Sequence, residues 1–145
     1  MNLKLPFCYF IINIYFFPKQ KQQPFDIKPE LPIQAKQWLH KYQITDYEQR
    51  LFGICWSDSQ ERLILPVYDC ERLVYWQGRT FKPITKLNPK YLNIRQSGAK
   101  NVFFRRYGPS NSVGSKRLVI VEDILSAIKT GRYLDSLALL GSYLP

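Results

Sequence analysis

The sequence predicts an α+β fold, and three changes of pattern along its 145 residues predict it. Residues 32–53 carry helical spacing and a capping signature, residues 54–79 alternate with period two between short turns, and residues 117–141 read as apolar strand, helix and apolar strand. Helices and hairpins followed by a βαβ unit make a mixed fold in two parts. The chain divides into an apolar N-terminal segment with a Pro-rich linker over 1–30, a basic α+β subdomain over 31–116 and an α/β piece over 117–145. A hydrophobic fraction of 46% with 15% aromatics is globular in character.

In chain order, residues 7–17 are apolar apart from Asn13. A bilayer takes about 20 such residues, so this run is too short to span one, and no small-x-small cleavage site follows it. Its aromatic and β-branched content predicts a strand or a segment docking on the core. A start codon chosen upstream of the true one also accounts for it. Residues 18–30 hold three prolines, show no period and read as a linker. Pro32 suits the first turn of a helix whose apolar face is Ile33, Trp38, Leu39 and Tyr42. Thr45 and Glu48 have capping-box spacing, which predicts a second short helix ending near Gly53.

Three strands then read as an antiparallel meander: Ile54, Cys55 and Trp56; residues 62–68; and residues 73–79. Pro66 predicts an edge or a bulge, and Gly78 a bulge or the close approach of a backbone or ligand. Loop signals fill the next stretch, around one short strand near 101–104. Arg117, Leu118, Val119, Ile120 and Val121 read as a parallel strand buried on both faces. Glu122 and Asp123 follow at its carboxyl end, then a helix from Ile124 to near Gly131, then a second parallel strand over 137–141, a right-handed βαβ unit. Open α/β sheets place active sites at that end of a strand.

The charge is concentrated. Residues 79–121, up to Glu122, hold ten Lys and Arg and no Asp or Glu, while the rest of the chain has eleven cations and eleven carboxylates, so this window accounts for the net charge of +10. A one-signed field suits a polyanion. Phe81, Tyr91, Phe103, Phe104 and Tyr107 are interleaved with the cations, and stacking on an unpaired base is worth roughly 1–3 kcal/mol. Single strands therefore fit better than duplex, the alternative being a solvated basic face over core aromatics. The three cysteines, Cys8, Cys55 and Cys70, are scattered, which argues against a disulfide framework and a zinc module and for a reducing, cytoplasmic compartment. His40, the single histidine, reads as a packed or surface residue, and triad chemistry has almost no support.

Residues 73–79 (LVYWQGR), 88–93 (NPKYLN) and 118–127 (LVIVEDILSA) resemble, in order and spacing, the catalytic core of bacterial-type and bacteriophage DNA primases. The resemblance extends over residues 31–145. It implies a subdomain that holds template and primer, followed by the first βαβ unit of a Toprim subdomain carrying a magnesium site. Arg79 and Lys90 match the family's basic positions, with Tyr91 and Asn93 completing that motif, and Arg105 and Arg106 extend the basic surface. Glu122 matches the first Toprim carboxylate, which acts in catalysis and metal organisation, and Asp123 is its neighbour.

The family's zinc module would precede residue 31, and its Asp-x-Asp magnesium pair would follow Pro145. The expectation is therefore half a metal site and no zinc. The partners implied are single-stranded DNA, nucleoside triphosphates, and a second polypeptide supplying the rest of the Toprim domain or a replicative helicase, in a bacterial or phage-infected cell. Two further readings stand beside this one: a non-catalytic module that binds single-stranded nucleic acid, and a membrane-associated protein anchored by residues 3–17.

Overall fold

The computed structural model describes residues 26–69, 72–95, 102–109 and 117–141. The expectations for residues 1–25, Cys70 and Gly98 lie outside the described residues. Within them the elements run β1 (Ile27–Lys28), α1 (Ile33–Lys41), α2 (Asp46–Leu51), β2 (Cys55–Ser57), β3 (Arg62–Asp69), β4 (Arg72–Thr80), β5 (Tyr91–Arg95), β6 (Phe104–Arg106), β7 (Leu118–Val121), α3 (Ile124–Thr130) and β8 (Asp135–Ala138). The fold is α+β.

β1 to β5 form an antiparallel sheet in sequence order: short connections join β2 to β3 and β3 to β4, the loop 81–90 joins β4 to β5, and β1 meets β2 across the two helices. The second sheet has the order β6-β8-β7, with β7 parallel and β6 antiparallel to β8. The parallel pair is joined by α3, as parallel strands require a crossover. One apolar core serves both sheets: Ala35 and Leu39 of α1, Leu63 and Leu65 of β3, Phe104 of β6, and Ile124 and Ile128 of α3 belong to a single cluster. Cys55, Ile64, Leu73 and Trp76 form a smaller cluster of their own. Alternate residues of β3 thus enter different clusters, which is why Leu63, Ile64 and Leu65 are all buried.

The helices begin and end for local reasons. Thr45 caps α2 reciprocally: its hydroxyl accepts from the Glu48 N–H at 3.1 Å, and its own N–H donates to the Glu48 carboxylate at 3.0 Å. Asp123 caps α3, accepting from the Ser126 N–H at 2.9 Å. Gly53, at φ +64°, turns the chain out of α2 where a side chain would be strained.

Several elements differ from the sequence reading. Tyr91–Arg95, read as loop, is the fifth strand, pairing with β4 along Tyr75 to Arg79. Asn88-Pro89 just before it looks like a loop signal, and the strand's Asn93 lowers its β propensity. Lys28, read as linker, already pairs with Trp56. The strand expected near 101–104 runs instead over Phe104–Arg106. β7 is an edge strand, with Leu118 46% and Ile120 44% exposed, so its apolar run is not buried on both faces. β8 begins at Asp135 and stops at Ala138, because Leu140 and Gly141 take positive φ and turn the chain. Pro66 sits inside the third strand of five, beyond the last β2 partner of β3 at Ile64 and just before the register shift at Val67/Tyr68. Gly78 is in regular register opposite Ile64. A Cβ there would meet the Trp76 ring at 2.8 Å and the Arg62 stem at 3.1 Å, so side chains are what approach it.

Candidate nucleic-acid interface

Arg79 and Tyr91 are cross-strand partners on β4 and β5, and period two puts Gln77 with Asn93 and Tyr75 with Arg95 on the same face. The Arg79 guanidinium lies 5.1 Å from the Tyr91 ring centre, 5.5 Å from that of Trp38 on α1 and 5.6 Å from that of Phe81 just after β4. Further rings extend the cluster: Tyr42 lies 4.8 Å from Trp38, and Trp56 stacks on Phe81 at 6.4 Å. Three ring faces hold the cation by quadrupole attraction.

Arg79 Nε and Nη1 are enclosed and make no hydrogen bond. Ring faces do not satisfy N–H donors fully, and an enclosed donor without an acceptor is costly. Lys90, exposed, sits 5.5 Å over the outer Tyr91 ring. The Tyr91 hydroxyl titrates above its ordinary range: burial pushes it up, the Arg79 charge opposes this, and Tyr42 and Asp123 add to it. That Asp123 acts on Tyr91 puts the carboxyl end of β7 within electrostatic reach of the cage.

The remaining predicted residues divide between this surface and the frame. Asn93 accepts from Gln77 at 3.0 Å on the exposed sheet face. Arg105 is exposed, 4.4 Å over Tyr107 and 3.8 Å from Asp135. Arg106 turns inward: it donates to Glu48 at 3.0 Å and to the Ile128 carbonyl, and it lies 5.1 Å over Phe52. Glu122 is exposed at the end of β7. Asp123 is next to it, but its oxygens accept from the Ser126 N–H at 2.9 Å and the Ser126 hydroxyl at 2.6 Å. Asp135 accepts from the Gly108 N–H at 2.8 Å. Among the described residues no group of three or more His, Cys, Asp or Glu stands together as a metal site. These carboxylates do not by themselves fit magnesium.

Glu48 has a structural role beyond its cap, which its place in the capping box concealed. It is 3% exposed and accepts from Arg132 Nε at 2.8 Å and Nη2 at 2.7 Å, besides Arg106 and Thr45. Burial pushes its carboxyl up, yet the bonds from Arg132, Thr45 and Arg106 outweigh this and hold it down at about 2. The cage's Trp38 and Phe81 were visible only as helix-face and interleaved aromatics, since sequence spacing does not say which rings meet. Their signal was the alternation of aromatic and basic residues around Arg79. No helix among the described residues is long and apolar enough to cross a membrane. No protein-family model, curated protein or solved structure matches this chain, so the chemistry of the site is argued from its geometry alone.

Proposed function

We infer that this chain binds single-stranded nucleic acid and nucleotides through the Arg79 cage, as the strand-holding part of a DNA primase-type catalytic core. The observation that carries the inference is Arg79 itself, a cation fixed among three rings with two enclosed N–H groups left to bind an oxygen. A phosphate satisfies the donors once a covering ring moves aside, and Lys90 adds a second cation without reading sequence. Half-buried Gln77 with exposed Asn93 and Arg95 continues along β4 and β5 from the cage. Primer synthesis on this reading needs magnesium and carboxylates beyond Glu122.

Fluorescence anisotropy of a labelled oligothymidylate tests the binding. Arg79→Ala is expected to weaken it about tenfold or more and to lower the salt slope by about one. Arg79→Lys recovers little, because an ammonium has neither the planar stack nor the fork of donors. Equal affinity of Arg79→Ala and the unmodified chain, at every salt concentration, would sink the reading.

The commitment of Asp123 to the α3 cap favours a second reading, a non-catalytic binding module. Ribonucleotide incorporation on single-stranded DNA with magnesium separates the two. Synthesis that Glu122→Gln abolishes while strand binding persists belongs to the primase reading. Binding without synthesis, whatever carboxylate-bearing polypeptide is added, belongs to the module.

A further inference from the structure

The connection between β4 and β5, residues 81–90, is fastened tightly for a surface loop. Asn88 is the knot: its N–H donates to the Thr85 hydroxyl at 3.0 Å, its side-chain amide donates to the Pro83 carbonyl at 3.0 Å, and its side-chain oxygen accepts from Arg62 Nη2 at 2.5 Å. Arg62, itself 3% exposed, also donates to the Pro89 carbonyl at 3.0 Å and the Gly78 carbonyl at 3.2 Å, which ties the loop to the sheet. Pro83 and Pro89 remove further freedom. Both ends of the loop belong to the cage, Phe81 at one and Lys90 at the other.

What this frame holds outward is apolar: Leu87 is 98% and Ile84 63% exposed. A lone exposed aliphatic is ordinary. Two on one pinned loop, beside Lys86 and Lys90 and with Lys82 paired to Glu61, combine a hydrophobic tip with nearby cations. Bases present apolar faces and phosphates present charge, so a single strand matches both parts at once.

We propose that Leu87, with Ile84, is an apolar wedge that enters between neighbouring bases of the strand whose phosphate sits at Arg79. The proposal rests on the nucleic-acid reading above. Lys86 and Lys90 meet the phosphates flanking the opened step, and Leu87 replaces the lost base contact with its own. Because the loop is already ordered by Asn88 and Arg62, binding does not have to order it. An anionic membrane also attracts lysine and leucine, but interfacial binding scales with buried apolar area, and two aliphatic tips offer little.

The test uses the full chain, the Ile84→Ala/Leu87→Ala double variant, and a single-stranded oligonucleotide carrying 2-aminopurine, whose fluorescence rises on unstacking. The unmodified chain is expected to raise the signal. The double variant is expected to lose most of that rise and to bind about five- to thirtyfold more weakly with the same salt slope, since its cations are intact. Leu87→Met is expected to keep both properties. Equal affinity and equal fluorescence rise in the double variant, with salt-sensitive binding retained, overturns the wedge and leaves the nucleic-acid reading standing. No oligonucleotide binding by the unmodified chain at any salt concentration overturns both. Co-sedimentation with phosphatidylserine vesicles that the double variant abolishes, with oligonucleotide binding and fluorescence unchanged, overturns the wedge and gives the loop to a membrane.

Discussion

Glu48 and Arg79 are both charges set among other side chains, and they differ in what surrounds them. Glu48 has two guanidiniums and a backbone N–H on its oxygens, while Arg79 has ring faces and two donors without acceptors. Neutralising the first leaves two half-buried arginines facing an amide, one end of which is itself a donor, so Glu48→Gln is expected to cost about 3–5 kcal/mol in urea unfolding at neutral pH. Removing the second deletes enclosed, unsatisfied donors along with a stack, so Arg79→Ala should change stability by only about 1 kcal/mol while binding falls. The acid limb follows from the Glu48 carboxyl, held at about 2 against an ordinary 4.5. A lowered carboxyl contributes stability above its unfolded value and loses it as protons are taken up in the folded state. The contribution is therefore complete above about pH 4.5 and fades as pH falls toward about 2, a loss of about 3 kcal/mol that Glu48→Gln should not show in the same window.

At the scale of elements, what was legible is what local chemistry dictates. The Thr45 and Glu48 capping box announces α2, and Thr45→Ala is expected to cost about 1 kcal/mol, read from the urea midpoint. Period two announced β2, β3 and β4. β5 was missed because nothing local marks it: Tyr91–Arg95 is a strand through its pairing with β4, a partner that sequence spacing does not reveal. The burial of β7 was misread for a related reason. Four apolar residues in a row imply cover on both faces, but Leu118 and Ile120, which share one face of β7, are 46% and 44% exposed. Gly78 was noticed for the right property and given the wrong neighbour. Gly78→Ala is expected to cost about 1–3 kcal/mol in the same unfolding measurement, because the Trp76 ring at 2.8 Å and Arg62 at 3.1 Å have to shift. Since Arg62 also holds Asn88 and Pro89, amide exchange at Asn88 should quicken in that variant well beyond the change in global stability.

For the whole molecule, the two sheets share one core and one ion cluster, and this governs how it opens. Leu65 in β3 and Ile128 in α3 lie in the same apolar cluster, with Glu48 tying α2 to Arg106 on β6 and to Arg132 just beyond α3. Native-state hydrogen exchange should therefore give the amides of Leu65 and Ile128 the same opening free energy, and Glu48→Gln should separate them. The candidate site was legible as chemistry and not as assembly. Arg79, Lys90 and Tyr91 stand close in sequence, whereas Trp38 joins them from α1, a contact that only the folded chain makes.

The strand order β6-β8-β7 also sets a sequence of events during synthesis. From β2 to β5 the meander pairs each strand with the one just made, so it can close hairpin by hairpin as the polypeptide emerges. The second sheet cannot, because its middle strand is translated after both of its neighbours. Until Asp135–Ala138 leaves the ribosome, β6 and β7 have no ladder to join, and the inner face of the meander waits for Phe104 and α3 to cover it. The nascent chain thus carries an open apolar surface through a fixed interval of translation, and that interval is when a chaperone has something to hold.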